Sequence, residues 1–189
     1  AGRAARRRSR KRRVCACSAA SRWSLSSRGA RPRRAEARLQ LGRNLEARKD
    51  LESALPALGA ACLIELAHVD IRERKHLDRS IETASAVILR ADPGSRLKAR
   101  GHHILGLALG KRRRGAEASR ATSELLEAAR IYRSIGDRAS SAQVMDTLGM
   151  LLAAQGRLDP ALAQYSIALV EKTRCGDRYG IAITLGNMG

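Results

Sequence analysis

The chain has 189 residues, of which 44% are apolar but only 2% aromatic, and it carries a formal net charge of +19 without any phenylalanine. A core built from Ala, Leu and Ile favours close-packed helices over a β-sandwich, because strands are usually rich in aromatic and β-branched residues. No apolar run approaches the roughly 18 to 20 residues that a membrane-spanning helix needs. The composition therefore predicts an all-helical protein that does not enter a membrane.

The positive charge is concentrated in residues 1–35, which contain 13 Arg or Lys and no Asp or Glu. A segment with so little apolar surface cannot offset its ordering entropy by burial, so we expect it to be disordered. Its "RRRSRKRR" run could neutralise phosphates and bind nucleic acid without sequence preference. Organellar targeting and a gene-model artefact of an arginine-biased genome are alternative interpretations of the same residues.

From Glu36 onward the apolar spacing is helical almost throughout. The segment 57–71 is apolar nearly all round and is predicted to be a buried helix. Asp92-Pro93-Gly94 predicts a turn, and Asp159 followed by Pro160 predicts a helix start. In chain order, the predicted helices cover 36–55, 57–71, 76–91, 96–109, 118–135, 139–155 and 159–174, and a last helix is incomplete at the C-terminus.

The helices repeat in pairs with a period of 40 residues. Five features recur at this spacing: Gly136-Asp137-Arg138 with Gly176-Asp177-Arg178, Leu148-Gly149 with Met188-Gly189, Ala121 with Ala161, Leu125 with Tyr165, and Ala128 with Ala168. Leu-Gly pairs also occur upstream, at Leu105-Gly106 and Leu58-Gly59. A repeat of this length is typical of solenoids, in which each unit packs mainly against its neighbours.

Residues 142–175 resemble a tetratricopeptide repeat (TPR). That family has a Leu-Gly pair in its first helix, a Gly at the turn, and small–aromatic–small positions in its second helix. Here these positions hold Leu148-Gly149, Gly156, and Ala161, Tyr165 and Ala168. The resemblance implies an all-α, right-handed superhelix over residues 36–189, with its last repeat truncated, as in a fragment of a larger bacterial signalling protein.

The resemblance also implies a function, namely a non-catalytic scaffold that binds a peptide or partner protein in a concave groove. In this family, residues of the first helix of each repeat line the groove. The matching positions here, which we predict to bind a partner, are Arg100, His103, Leu107, Lys111, Gln143, Asp146 and Met150. Their positive charges suggest an acidic ligand. The alternative function is nucleic-acid or polyanion binding through the basic segment 1–35 and the Lys111–Arg114 loop.

We find no spacing of acids, bases or ligands that predicts catalysis, a cofactor or a metal site. His102 and His103 are adjacent, so on a helix they point about 100° apart and cannot chelate one ion from a single face. The carboxylates Glu124, Glu127, Asp137 and Asp146 are typical of solvated faces and helix caps. Cys62 and Cys175 lie singly in apolar patterns and are predicted to be buried thiols, which fits a cytoplasmic protein.

Overall fold

The computed structural model describes residues 41–112 and 116–189, together with Ala35 and Arg38. Within these residues the chain forms α-helices and no strand, so the predicted all-α fold is confirmed there. The helices are α1 (Asn44–Leu58), α2 (Ala60–Arg72), α3 (Leu77–Arg90), α4 (Arg96–Arg112), α5 (Glu117–Ser134), α6 (Arg138–Ala154), α7 (Leu158–Cys175) and α8 (Arg178–Met188). The basic segment 1–34 lies outside the described residues, so its predicted disorder and its nucleic-acid role stay predictions.

The helices pack as a linear array. Each helix contacts the next one along the chain, and short connections make such neighbours antiparallel. The even-numbered helices also contact one another in series, α2 with α4, α4 with α6 and α6 with α8. Among the described residues, no two odd-numbered helices are in comparable contact. The even-numbered helices therefore form an inner row of the array, and its predicted right-handed coiling stays a prediction.

The repeated Gly-Asp pair makes the turn between repeats. Gly136 and Gly176 have φ of +74° and +68°, a left-handed conformation that glycine adopts without the strain of a Cβ atom. The amide of Asp137 then donates to the carbonyl of Tyr132 at 2.8 Å, which closes α5. The Asp137 carboxylate accepts the amide of Ser140 at 3.1 Å and caps α6. Asp137 is thus a helix cap, as predicted.

The hydrophobic core runs along the array in three consecutive clusters. The first joins α1 to α2 around Leu51 and includes Ala35, the last residue of the predicted basic segment. The second lies between α2, α3 and α4 and includes Ala121 of α5, and the third extends from Ala99 of α4 through α5 and α6 to α7, around Tyr132 and Tyr165. Each cluster is shared only by nearby helices, as expected for a solenoid.

Several predicted boundaries are wrong. Leu58-Gly59 is not inside a first helix of a repeat, because Gly59 has φ of +47° and separates α1 from α2. The segment 36–55 is not one helix, since a turn at Leu41-Gly42 precedes α1. Asp159 does not cap α7, which begins one residue earlier at Leu158.

The cysteines and the basic loop also differ in part from expectation. Cys62 is buried and free, as predicted, whereas Cys175 is half-buried and disulfide-bonded, so the free thiol predicted there is wrong. Lys111 and Arg112 belong to the last turn of α4 and not to a loop, while Arg113 and Arg114 lie outside the described residues.

Candidate ligand-binding groove

The inner row of helices encloses a groove of about 1040 Å³. All four even-numbered helices contribute side chains to it, and all seven residues predicted to bind a partner line it: Arg100, His103, Leu107 and Lys111 on α4, and Gln143, Asp146 and Met150 on α6. Their spacing of three or four residues places them on one face of each helix. Their role in binding stays a prediction.

The seven residues differ in what they offer to a ligand. Lys111, Gln143 and Met150 are exposed, and 42% of Met150 is accessible. His103 and Asp146 are buried, with 6% and 7% accessible. The exposed side chains can therefore contact a partner directly, whereas the buried ones act through the groups that they hold in place.

Arg100 is the centre of a polar cluster that joins α2 to α4. Its Nε and Nη2 atoms donate to the two carboxylate oxygens of Glu65, each at 2.7 Å. The same guanidinium donates to Nδ1 of His68 at 2.9 Å and to Nδ1 of His103 at 3.4 Å. The charge that suggested an acidic ligand at Arg100 is thus already balanced by Glu65, a residue that the sequence analysis did not select.

The cluster continues from α4 to α6 through His103. Thr147 Oγ1 donates its proton to the carbonyl of Gln143 at 3.0 Å, so His103 Nε2 must donate to Thr147 Oγ1, also at 3.0 Å. This assigns the Nε2–H tautomer to His103 and leaves Nδ1 as the acceptor for Arg100. Burial, together with the nearby Arg100 charge, holds the pKa of His103 well below its usual range, which agrees with a neutral ring.

The electrostatics of Glu65 and His68 follow from the same contacts. Burial raises the pKa of the Glu65 carboxyl, but the charge of Arg100 and the contact with His68 outweigh it and hold the pKa well below its usual range. Burial and Arg100 lower the pKa of His68. Near neutral pH the cluster therefore contains one carboxylate, one guanidinium and two neutral imidazoles.

A second polar cluster lies where α6, α7 and α8 meet. Lys172 Nζ forms an ion pair with Asp146 and donates to Thr184 Oγ1 at 2.9 Å, and Thr184 Oγ1 lies 2.9 Å from the other Asp146 oxygen. Asp146 is therefore a buried ion-pair partner, and its prediction as a solvated carboxylate is wrong. Lys172 follows Tyr132 by 40 residues, and both are buried and line the groove, so the repeat period was the signal that could have found it.

The two adjacent histidines contact different helices, as their angular separation requires. His102 Nδ1 lies 2.6 Å from Glu124 on α5, whereas His103 faces Thr147 on α6. Glu124 is thus partly buried in a side-chain pair, and Glu127 pairs with Arg130 at the surface. Among residues 41–112 and 116–189, no group of three or more His, Cys, Asp or Glu side chains could hold a metal ion.

Glycines in the inner helices α4 and α6 allow these helices to pack closely against α5 and α7. A Cβ atom on Gly149 in α6 would lie 2.5 Å from the ring of Tyr165 in α7, and one on Gly106 in α4 would lie 2.7 Å from Leu125 in α5. Tyr165 in turn is flanked by the small, buried Ala161 and Ala168. The Leu-Gly and small–large–small positions thus meet across the pairs α4–α5 and α6–α7, which is the packing that the sequence resemblance implied. The described helices are therefore packed as a TPR-like array.

No family profile and no curated protein matches the sequence. A solved structure described as a thermophilic TPR protein of Thermus thermophilus is similar to the TPR-like array, with 22% sequence identity and a TM-score of 0.49, over 84% of this chain and 99% of that one. None of the TPR-like helices in the described residues is long and apolar enough to cross a membrane.

Proposed function

We propose that the protein is a scaffold that binds a segment of a partner protein in the groove of its inner helices. The observation that carries this proposal is the convergence of apolar and polar side chains from separate repeats on one groove, namely Leu107 and Lys111 from α4 with Gln143 and Met150 from α6. Concave faces of stacked helix pairs are extended surfaces suited to peptide segments.

The arrangement favours a binding role over a catalytic one. His68 and His103 each accept a hydrogen bond from Arg100. His103 is also buried, and both of its ring nitrogens form hydrogen bonds. The buried Asp146 carboxylate is neutralised by Lys172. A general acid or base needs a proton that it can exchange with a substrate, and these groups hold theirs in internal hydrogen bonds. We infer that the polar clusters fix the inner helices relative to one another and so preorganise the groove.

Site-specific photo-crosslinking tests this function. A photoreactive residue placed at the exposed Gln143 in the groove should capture a partner protein in the native host, whereas the same residue at Ile167 on α7, 49% accessible and outside the groove, should not. Met150→Glu should abolish the Gln143 crosslink because it places a charge on an apolar contact surface. Equal capture at both positions, or capture unaffected by Met150→Glu, would contradict a groove-binding role.

A further inference from the structure

Most of the charges that line the groove are engaged within the protein, and the Asp177 carboxylate caps α8 by accepting the amide of Gly180 at 2.8 Å. Arg100 is paired with Glu65 and Lys172 with Asp146, while Arg96 lies 2.9 Å from Asp137. Arg72, the last residue of α2, and Lys111, in the last turn of α4, also line the groove. Both are exposed, and neither has a carboxylate partner among the described residues.

The carboxylates near Arg72 and Lys111 are already occupied. Glu73 lies 3.4 Å from Arg48 and 3.8 Å from Lys75. On the other side of α4, Arg112 holds both Asp78 and Glu117. Glu73, Asp78 and Glu117 are therefore engaged by other cations, and no ion pair joins a described carboxylate to Arg72 or Lys111.

A third cation strengthens the positive potential at the same place. Arg74 follows Arg72 by two residues, is exposed, and likewise lacks an acidic partner among the described residues. Partial desolvation lowers the pKa of Lys111, and the charges of Arg74 and Arg72 lower it further. The C-terminal ends of α2 and α4 favour cations through their dipoles, but a dipole does not supply the missing counter-charge.

We propose that Arg72 and Lys111, with Arg74 beside them, form an anion-binding rim that takes the side-chain carboxylates of an acidic segment in a partner protein. This inference rests on the proposed function and assigns the chemistry of its ligand. Next to the rim, Leu107 lies one turn before Lys111, and Met150 faces the groove from α6. The acidic segment should therefore carry an apolar side chain beside its carboxylates.

The same features favour an acidic protein segment over nucleic acid. Three cations neutralise few phosphates, whereas affinity for nucleic acid grows with the number of phosphates that are neutralised. The side chains next to the rim, Leu107 and Met150, are aliphatic and give no stacking platform for bases, since single strands are usually held on aromatic rings. The exposed Tyr179 of the groove lies on α8, away from the ends of α2 and α4. Acidic recognition thus lies at the C-terminal rim of α2 and α4, and not at Arg100.

A backbone-amide NMR titration of the full chain tests the rim, because it reads binding at α4 separately from binding at the basic segment 1–35. The probes are a short peptide of alternating glutamate and leucine with blocked ends, its glutamine counterpart and a short oligothymidylate, each at physiological salt. The glutamate peptide should shift the amides of residues 107–111 and bind roughly tenfold more tightly than the glutamine peptide, since hydrogen bonds to charged groups are the stronger ones.

Matched variants test whether Arg72 and Lys111 cause the preference for the glutamate peptide. Arg72→Gln combined with Lys111→Gln should remove the preference for glutamate, and the charge-conserving Arg72→Lys with Lys111→Arg should keep most of it. Arg90→Gln is the control, because Arg90 is also an exposed last residue of a helix but lies on α3, outside the groove. It should change the affinity less than about twofold, as expected for a distant surface charge. Unchanged thermal midpoints establish that the variants fold.

Three results would overturn the inference. Equal affinities for the glutamate and glutamine peptides at these amides would remove the anion site while leaving groove binding intact. A glutamate preference that survives the Arg72 and Lys111 exchange would place the anion elsewhere. Tighter binding of oligothymidylate at the same amides would assign the rim to nucleic acid. A failure of the proposed function itself would appear separately, as the loss of the Gln143-specific crosslink.

Discussion

Lys172 and Asp146 form an ion pair in the interior of the array, where only 4% and 9% of their side chains are accessible. The pair joins α7 to α6, and Thr184 joins α8 to both partners through contacts of 2.9 Å. Lys172 Nζ also donates to the carbonyl of Gly180 at 3.2 Å. A single buried cluster therefore attaches the last described helix to the rest of the protein.

Removing only one charge of this ion pair should destabilise the folded protein strongly. Lys172→Met leaves the Asp146 carboxylate buried without its cation, which typically lowers the free energy of unfolding by about 3 to 5 kcal/mol. Lys172→Met with Asp146→Leu replaces both charges by apolar groups and should recover most of that loss. Urea denaturation measures both changes. A double variant no more stable than the single one would show that the hydrogen bonds to Thr184, and not the ion pair, hold α8.

Two glycines of the array should respond in opposite directions to the same substitution. Gly149→Ala places a Cβ atom 2.5 Å from the buried Tyr165 ring and should cost about 1 to 3 kcal/mol, the usual range for overpacking. Gly186→Ala meets nothing within 4 Å in α8 and should stabilise by about 0.5 to 1 kcal/mol through helix propensity. Thermal unfolding ranks the two variants, and a stabilising Gly149→Ala would contradict the close approach of α6 to α7.

Stability should decrease as the pH falls from about 7 towards 5. Burial and Arg100 lower the pKa of both His103 and His68 in the folded state, so the folded protein binds fewer protons than the unfolded chain below the ordinary histidine pKa of about 6.5. His103→Gln keeps a donor for Thr147 but does not titrate, so its unfolding free energy should depend less steeply on pH. Identical slopes for the wild type and the His103→Gln variant would argue against a neutral, buried His103.

Below about pH 4.5 the free energy of unfolding should decrease a second time, because Glu65 becomes protonated. The pKa of Glu65 in the folded state is held well below its usual range, so its stabilising contribution is complete above the unfolded value and is lost as the pH falls further. Denaturation measured between pH 5 and pH 3 should show this second decline in the wild type. Glu65→Gln should lack it, since the carboxyl that titrates has been removed.

Two bidentate arginine–carboxylate pairs of similar geometry should differ in energy because they differ in burial. Glu65→Gln removes the charge facing Arg100, whose side chain is 19% accessible, and should cost about 2 to 3 kcal/mol. Glu127→Gln removes the charge facing Arg130, which is 66% accessible, and should cost less than about 0.5 kcal/mol. Chemical denaturation at pH 7 compares them, and equal costs would mean that water screens Arg100 as well as Arg130.

The sequence determined the features that depend on neighbouring residues. Gly136-Asp137 and its repeat at Gly176-Asp177 predicted the turns, because a left-handed glycine and a capping carboxylate act within a few residues. The resemblance to the tetratricopeptide pattern selected the seven candidate residues, and their spacing of three and four residues places them on one face of α4 and of α6.

Only the tertiary structure decided which charges remain available on that face. Glu65 balances Arg100 from 35 residues away, and Lys172 neutralises Asp146 from a distance of 26 residues. Arg72 and Lys111, by contrast, remain without a carboxylate among the described residues. Periodicity cannot reveal these outcomes, because an ion pair depends on which helices become neighbours and on how deeply both groups are buried. The sequence resemblance thus selected residues that line the groove, and packing decided which of its charged side chains remain without an ion-pair partner among the described residues.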